Sequence, residues 1–300
     1  MSPLLFILGP TASGKTALAA KLAERLKGEV ISCDSQQVYR GLDIGTAKPD
    51  AALRARVVHH LLDVAEPHDQ LDAAQFVQLA DAAIADVRAR GRRPIICGGT
   101  FLWARALRYG LVPAPPRDAL VRDALEDELA EKGAPLLHAE LARVDPDAAA
   151  RIHATDPVRI IRALEVWRLT GTPISKLQGA HGFRTPREPD GRLMIDIPRV
   201  EMDRRIDART HDIFASGESG ILGETRRFVA TAERRLAQMI GYREALAHLR
   251  GEISLAEAEA LAARATRRYA RRQLTWLRAE RDLTPVRPDA DVDALVRSLV

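Results

Sequence analysis

Gly9-Pro10-Thr11-Ala12-Ser13-Gly14-Lys15-Thr16 decides the fold. It matches G-x-x-x-x-G-K-[ST] in full, and its surroundings satisfy the context the motif requires. A short apolar run, Leu4 to Leu8, leads into it as a buried strand would. Behind it, Leu18, Leu22 and Leu26, with Ala19 and Ala23, recur at helical spacing. Glycines let such a loop curl until successive N–H groups point inward at phosphate oxygens. The following helix adds its partial positive charge. Lys15 supplies a mobile cation, and the Thr16 hydroxyl is a candidate Mg²⁺ ligand. The whole stretch Gly9 to Thr16 is therefore expected to hold a polyphosphate, without saying which one.

Working outward, further short apolar runs end at polar or glycine residues: Val30 to Cys33 before Asp34, Pro94 to Cys97 before Gly98-Gly99-Thr100, and Leu193 to Ile197 before Pro198. A helical stretch from Leu71 to Arg90 precedes the third run. Strands alternating with helices predict an α/β fold, a P-loop NTPase-like parallel sheet flanked by helices, with sites at the carboxyl ends of its strands. Between Pro113 and Gly191 the pattern changes. After Pro113-Ala114-Pro115-Pro116 come helical candidates only, Asp118 to Glu131, Ala134 to Arg143 and Val158 to Leu169, and then a surface loop from Gly179 to Pro186. The expected organisation is a core of residues 1–112 and 190–300 carrying an all-helical insertion, 113–189. From Arg204 to Arg281 the chain reads as helical again, closing in an alanine- and arginine-rich helix, Leu255 to Arg278.

Composition narrows the class. With 45 basic and 41 acidic residues the net charge is only +4, too small to indicate nucleic acid unless the charge is concentrated. The two cysteines, Cys33 and Cys97, are far apart, which excludes a disulfide framework and a cysteine zinc site and fits the cytoplasm. No apolar run approaches membrane-spanning length, so no membrane partner is expected.

A nucleotide-hydrolysing protein would also present an aspartate for Mg²⁺ at a strand end; Asp34 and Asp196 are the candidates. Asp34 is followed by Ser35, Gln36 and Gln37, a neighbourhood that suits a base taking a proton from a positioned nucleophile. A helix- or turn-capping role fits the same residue. His59 and His60 are adjacent, and since neighbouring side chains on a strand point to opposite faces they are assigned a structural role. Tyr269, Trp167 and Trp276 fall at helical spacing and are expected in the core.

Beyond the loop, the chain resembles the tRNA dimethylallyltransferases (tRNA isopentenyltransferases) in ordered blocks from Leu4 to Arg281. They include Asp34-Ser35-Gln36-Gln37-Val38-Tyr39-Arg40-Gly41-Leu42-Asp43-Ile44-Gly45-Thr46-Ala47-Lys48-Pro49, His59 to Val64, Gly98-Gly99-Thr100, Asp156 to Val166, Ile240 to Glu244, and Thr266 to Arg278. The resemblance implies transfer of a dimethylallyl group from dimethylallyl pyrophosphate to N6 of the adenosine next to the anticodon, position 37, in tRNA. Pyrophosphate then leaves from the loop. Asp34 becomes the general base, and Lys15, Thr16 with Mg²⁺, and Arg209 become the groups that meet the leaving charge. The implied tRNA contacts are Asp34, Ser35, Gln36, Gln37, Thr100, Arg122, Val158, Arg159, Ile160, Ile161, Arg162, Gln238, Gly241, Tyr242, Arg243 and Gln273, all engaging an anticodon stem-loop. Arg267, Arg268, Arg271 and Arg272 fall at i, i+1, i+4 and i+5 and are expected to form one broad basic helix face free of acids. A monomer is expected.

Three departures stand out. Trp103 occupies a position where the family has tyrosine, Leu71-Asp72-Ala73-Ala74 replaces a tyrosine–serine pair, and Ser216 to Gly223 reads as an extended glycine-rich loop near the pyrophosphate site. An adenylate dimethylallyltransferase acting on free AMP, ADP or ATP keeps the same chemistry. A P-loop small-molecule kinase, binding ATP, would leave the Asp34 and Thr266 blocks unexplained.

Overall fold

The computed structural model describes residues 3–299. In chain order the first part of the core comprises β1 (Leu4–Leu8), α1 (Lys15–Leu26), β2 (Gly28–Cys33), α2 (Ala51–Arg56), β3 (His59–His60), α3 (Ala73–Ala89), β4 (Arg93–Gly98) and α4 (Phe101–Tyr109). Five helices follow: α5 (Ala119–Lys132), α6 (Ala134–Val144), α7 (Pro146–Ala149), α8 (Pro157–Thr170) and α9 (Ile174–His181). The chain then runs through β5 (Asp190–Ile195), α10 (Arg199–Ala215), α11 (Ile221–Leu236), α12 (Tyr242–Leu249), α13 (Leu255–Ala279), β6 (Thr284–Val286) and α14 (Val292–Leu299).

The strands form one parallel sheet in the order β3-β2-β4-β1-β5-β6. β1, β2 and β4 are buried along their whole length, which explains the apolar residues at their centres. Alternate residues face opposite layers. Phe6, Ile31 and Ile96 pack with α3, α4 and the C-terminal helices, whereas Leu5, Ile7 and Ile95 pack with α1 and α14. Trp103 is buried and stacks on Phe76 at 4.5 Å. Asp72 is the N-cap of α3 and forms a capping box with Gln75, so the unusual Leu71–Ala74 segment is a helix start.

Two compact units result: the described residues up to Arg108 together with those from Arg187 onward, and Tyr109–Pro186. The second has a core of its own, centred on Leu125, Leu137, Leu141, Ile160 and Leu164. In the first, the chain leaves and re-enters at one point, where the Arg187 N–H donates to the Arg108 carbonyl at 2.8 Å.

Several elements differ from expectation. The edge strands β3 and β6 are too short to show a period. The expected surface loop, Gly179 to Pro186, begins inside α9. Ser216 to Gly223 is no open loop. Ser216 caps α10, a 3-10 turn covers Gly217–Ser219, and α11 starts at Ile221 with Ile221 and Leu222 buried. It lies seven residues beyond Arg209 on α10, roughly 10 Å along the axis, and so away from the phosphate loop.

Candidate active site

The site forms at the carboxyl edge of the sheet, around the turn between β1 and α1. Gly14 takes φ +89°, which lets the chain enter α1 at once, and Ala12 also adopts a left-handed conformation. The Thr11 N–H donates to Gln273 Oε1 at 2.9 Å, and Gln273 Nε2 donates to the Gly99 carbonyl at 2.9 Å. A buried glutamine of α13 thus ties the phosphate loop to the turn after β4.

Two guanidinium groups of α10, four residues apart and therefore on one face, reach the same loop. Arg209 Nη1 donates to Thr11 Oγ1 at 3.3 Å, and Arg205 Nη1 donates to the Ser13 carbonyl at 3.4 Å. Lys15 Nζ donates to the Pro10 carbonyl at 3.3 Å. Asp34 follows β2 directly, and its Oδ1 accepts from the Gln36 N–H at 2.9 Å, a local turn that leaves the carboxylate half-exposed.

Lys15, Asp34 and Arg209 line two cavities in common. One, of about 120 Å³, lies against residues 11–16; the other, of about 550 Å³, opens over Ile213, Met239, Ala265 and Tyr269. Burial pushes the Lys15 ammonium below its ordinary range, with the Asp34 charge opposing. Burial likewise lowers Arg209, again against Asp34. Desolvated cations facing a single carboxylate create a local field that an entering polyanion would satisfy.

The remaining expected residues divide by what their polar atoms already do. Thr100 Oγ1 accepts from the Ser35 N–H at 2.9 Å and lies 3.3 Å from Ser35 Oγ, so Thr100 holds the Asp34 turn in place. Gln37 is committed to the Thr46 and Ala47 carbonyls and to Ser32 Oγ. Gln36 and Ser35 line the large cavity, as do Gln238, Gly241 and Arg243. Tyr242 is also on its wall, but the residue is buried and its hydroxyl donates to Glu224 Oε2 at 2.7 Å. Glu224, which went unnoticed in the sequence, also accepts from the N–H groups of Asp43, Ile44 and Gly45, and so anchors the rim of the cavity.

The basic face of α13 needs correction. Arg268 and Arg272 line the cavity with Tyr269, whereas Arg267 forms an ion pair with Asp207 of α10, and Arg271 is exposed off the cavity wall. Four arginines spread over two consecutive pairs span too wide an arc for one face. Tyr269, expected in the core, has its ring 5.8 Å from the Arg272 guanidinium. Arg205 was also missed; its cue was its place one turn before Arg209.

In the second unit, Ile160 and Ile161 are packed into the hydrophobic core, which withdraws their side chains from any ligand. Val158 and Arg159 are exposed; Arg159 pairs with Asp156. Arg162 binds Glu165 and the Pro115 carbonyl, and Arg122 pairs with Glu126. Cys33 and Cys97 are buried; burial drives the Cys33 thiol well above its ordinary value and Cys97 up to about 12, so both are inert packing residues. No group of three or more His, Cys, Asp or Glu side chains suited to a metal occurs among the described residues, and none of the described helices is long and apolar enough to cross a membrane.

A phosphate loop at the end of a central parallel strand, closed by cations from helices, places the chain in the P-loop class of α/β proteins built around a polyphosphate. A family profile described as IPP transferase matches residues 37–280. Similar curated proteins include a tRNA dimethylallyltransferase from an Anaeromyxobacter species, 55% identical over 99% of this chain and 98% of its own length, and one from Halorhodospira halophila, 46% identical over 100% and 97%. The fold resembles the crystal structure of a tRNA isopentenylpyrophosphate transferase from Bacillus halodurans, with 36% identity, a TM-score of 0.69, and coverage of 100% of this chain and 94% of that one. The chain belongs to the IPP transferase family.

Proposed function

We propose that the protein is a tRNA dimethylallyltransferase. It moves a dimethylallyl group from dimethylallyl pyrophosphate to N6 of the adenosine at position 37 of tRNA and releases pyrophosphate. The observation that carries this is the single carboxylate of Asp34 on the wall shared by the phosphate loop, Lys15, Arg209 and a cavity of about 550 Å³. That space suits a flipped-out base beside a short prenyl chain, because Ile213, Met239 and Ala265 supply an apolar side. The two free, buried cysteines suit the cytoplasm.

In the proposed reaction the adenine N6 attacks the allylic carbon and the carbon–oxygen bond to pyrophosphate breaks. The N6 proton passes to the Asp34 carboxylate. Charge then grows on the departing pyrophosphate, where Lys15, Arg209 and the loop N–H groups are already placed, so little reorganisation is needed. The residues also fit Mg²⁺: the Thr16 hydroxyl borders the same 120 Å³ cavity as Asp34, and phosphate oxygens would complete the ligand set, as this ion prefers. When bound, Mg²⁺ supplies further positive charge to the leaving group. Arg268, Arg272 and Arg243, exposed at the cavity, offer phosphate contacts to an RNA loop.

The test is transfer from labelled dimethylallyl pyrophosphate with Mg²⁺, offering unmodified tRNA and AMP, ADP or ATP in parallel. Label in tRNA alone is the expected result. Label in the free nucleotides would make the protein an adenylate dimethylallyltransferase, and ATP consumption without prenyl transfer would make it a kinase.

A further inference from the structure

Beneath the phosphate loop lies a third, narrow cavity bounded by Lys15, Thr16, Ser32, Asp34, Gln37 and His59. Its roughly 10 Å³ of free space is about what one ordered water needs. His59 belongs to β3, the short edge strand whose sequence suggests only a structural role. Its Nδ1 lies 2.8 Å from the Val57 carbonyl, an acceptor, so Nδ1 carries the ring hydrogen. Burial lowers the imidazole pKa, with that same hydrogen bond opposing, and favours the neutral ring. Nε2 is then a bare lone pair. It is buried and has no hydrogen-bond partner among the described residues.

A buried acceptor left without a donor is costly, so a fixed, orphaned nitrogen beside a polar cavity calls for an occupant. Ser32 cannot supply its hydrogen, since its hydroxyl donates to Gln37 Oε1 at 3.1 Å. A water can: it would donate to Nε2 and keep its other hydrogen and lone pairs for Thr16 and Asp34 on the same wall.

We propose that His59 is a positioning residue whose Nε2 holds a water under the phosphate loop, and that this water orders the hydration of magnesium pyrophosphate next to Thr16. The inference rests on the pyrophosphate-binding role proposed above and adds a residue from outside the loop to it. Fixing a ring through one nitrogen sets the tautomer and the direction in which the other nitrogen presents its lone pair.

Calorimetry with inorganic pyrophosphate, in Mg²⁺ and separately in EDTA, tests it on the full chain. His59→Leu should weaken binding in Mg²⁺ by about tenfold or more and leave binding in EDTA unchanged. His59→Gln, which keeps an acceptor near the Nε2 position, should recover most of the loss. Equal affinities of wild type and His59→Leu in Mg²⁺ would overturn the proposal, as would an equal loss in both buffers, which would mean general damage to the loop. If wild type binds pyrophosphate in neither buffer, the pyrophosphate role of the site fails and this inference falls with it; equal wild-type binding in both buffers overturns the magnesium-linked role of His59 alone. Nitrogen NMR of the wild-type imidazole guards against a misfolded variant. Nε2 should be unprotonated in the free protein and shift when magnesium pyrophosphate is added; a protonated Nε2 would sink the idea.

Discussion

Asp34 sits where proton acceptance and metal binding both make sense, and kinetics can separate them. A base acts in the transition state, so Asp34→Asn should lower kcat by about a hundredfold or more while leaving the KM for dimethylallyl pyrophosphate close to wild type. A parallel loss of pyrophosphate affinity, read by calorimetry, would give Asp34 to the metal instead. Lys15 carries its own pH signature. Because burial lowers its pKa, its charge disappears at a lower pH than that of an ordinary lysine. Affinity for metal-free pyrophosphate should therefore begin to fall at a lower pH than an ordinary lysine, of pKa about 10.4, would give. Lys15→Arg should flatten that limb, since a guanidinium keeps its charge throughout.

At the scale of elements, β2 carries a charged clamp at one end and the site at the other, roughly 16 Å away. Glu29, buried at the start of the strand, binds Arg90 at 2.6 Å and His60 at 2.6 Å. Burial alone would raise its pKa, but these hydrogen bonds hold it below the ordinary value. The stabilisation is thus complete above the unfolded pKa of about 4.3 and disappears as pH falls through the depressed folded value. Glu29→Gln should cost about 1.5–3 kcal/mol at neutral pH, read by denaturant unfolding, and remove part of the acid transition without changing turnover. On α13, Arg268→Ala and Arg272→Ala should each reduce the slope of log tRNA affinity against log salt by roughly 0.7–0.9, whereas Arg267→Ala, which loses a partner in Asp207, should change it less. The four central strands, the phosphate loop and the main helices were legible because apolar period and glycine placement are local signals. The two-residue β3 and three-residue β6 were not, since pairing rather than pattern makes them strands. The same limit explains the site. Lys15 and Asp34 announced themselves by motif, but the direction of each α13 arginine, the Glu224 anchor and the orphaned nitrogen of His59 depend on residues distant in sequence.

For the whole molecule, the closure of the core at Arg108 and Arg187 predicts that the helical unit can be removed. Besides the backbone hydrogen bond at 2.8 Å, Arg187 donates to the Leu107 carbonyl at 3.2 Å and pairs with Asp81, and Arg108 pairs with Asp190. Replacing residues 109–186 by a short glycine–serine linker should leave a chain that folds and binds pyrophosphate as wild type does, with weaker tRNA binding. Loss of pyrophosphate binding in a folded deletion variant would instead show that the insertion shapes the phosphate loop.

The strap from Gln273 to Thr11 and Gly99 also sets a timetable. On the ribosome the phosphate loop is made well before α13, with about 5–20 residues added per second. β1 likewise waits for β4 and then β5 before it has both neighbours. The nascent chain therefore holds its glycine-rich turn untethered until Gln273 emerges, and only then gains a finished binding loop. A message cut short before codon 273 yields a product that is incomplete at its first functional motif, and that is nowhere near the missing end of the sequence.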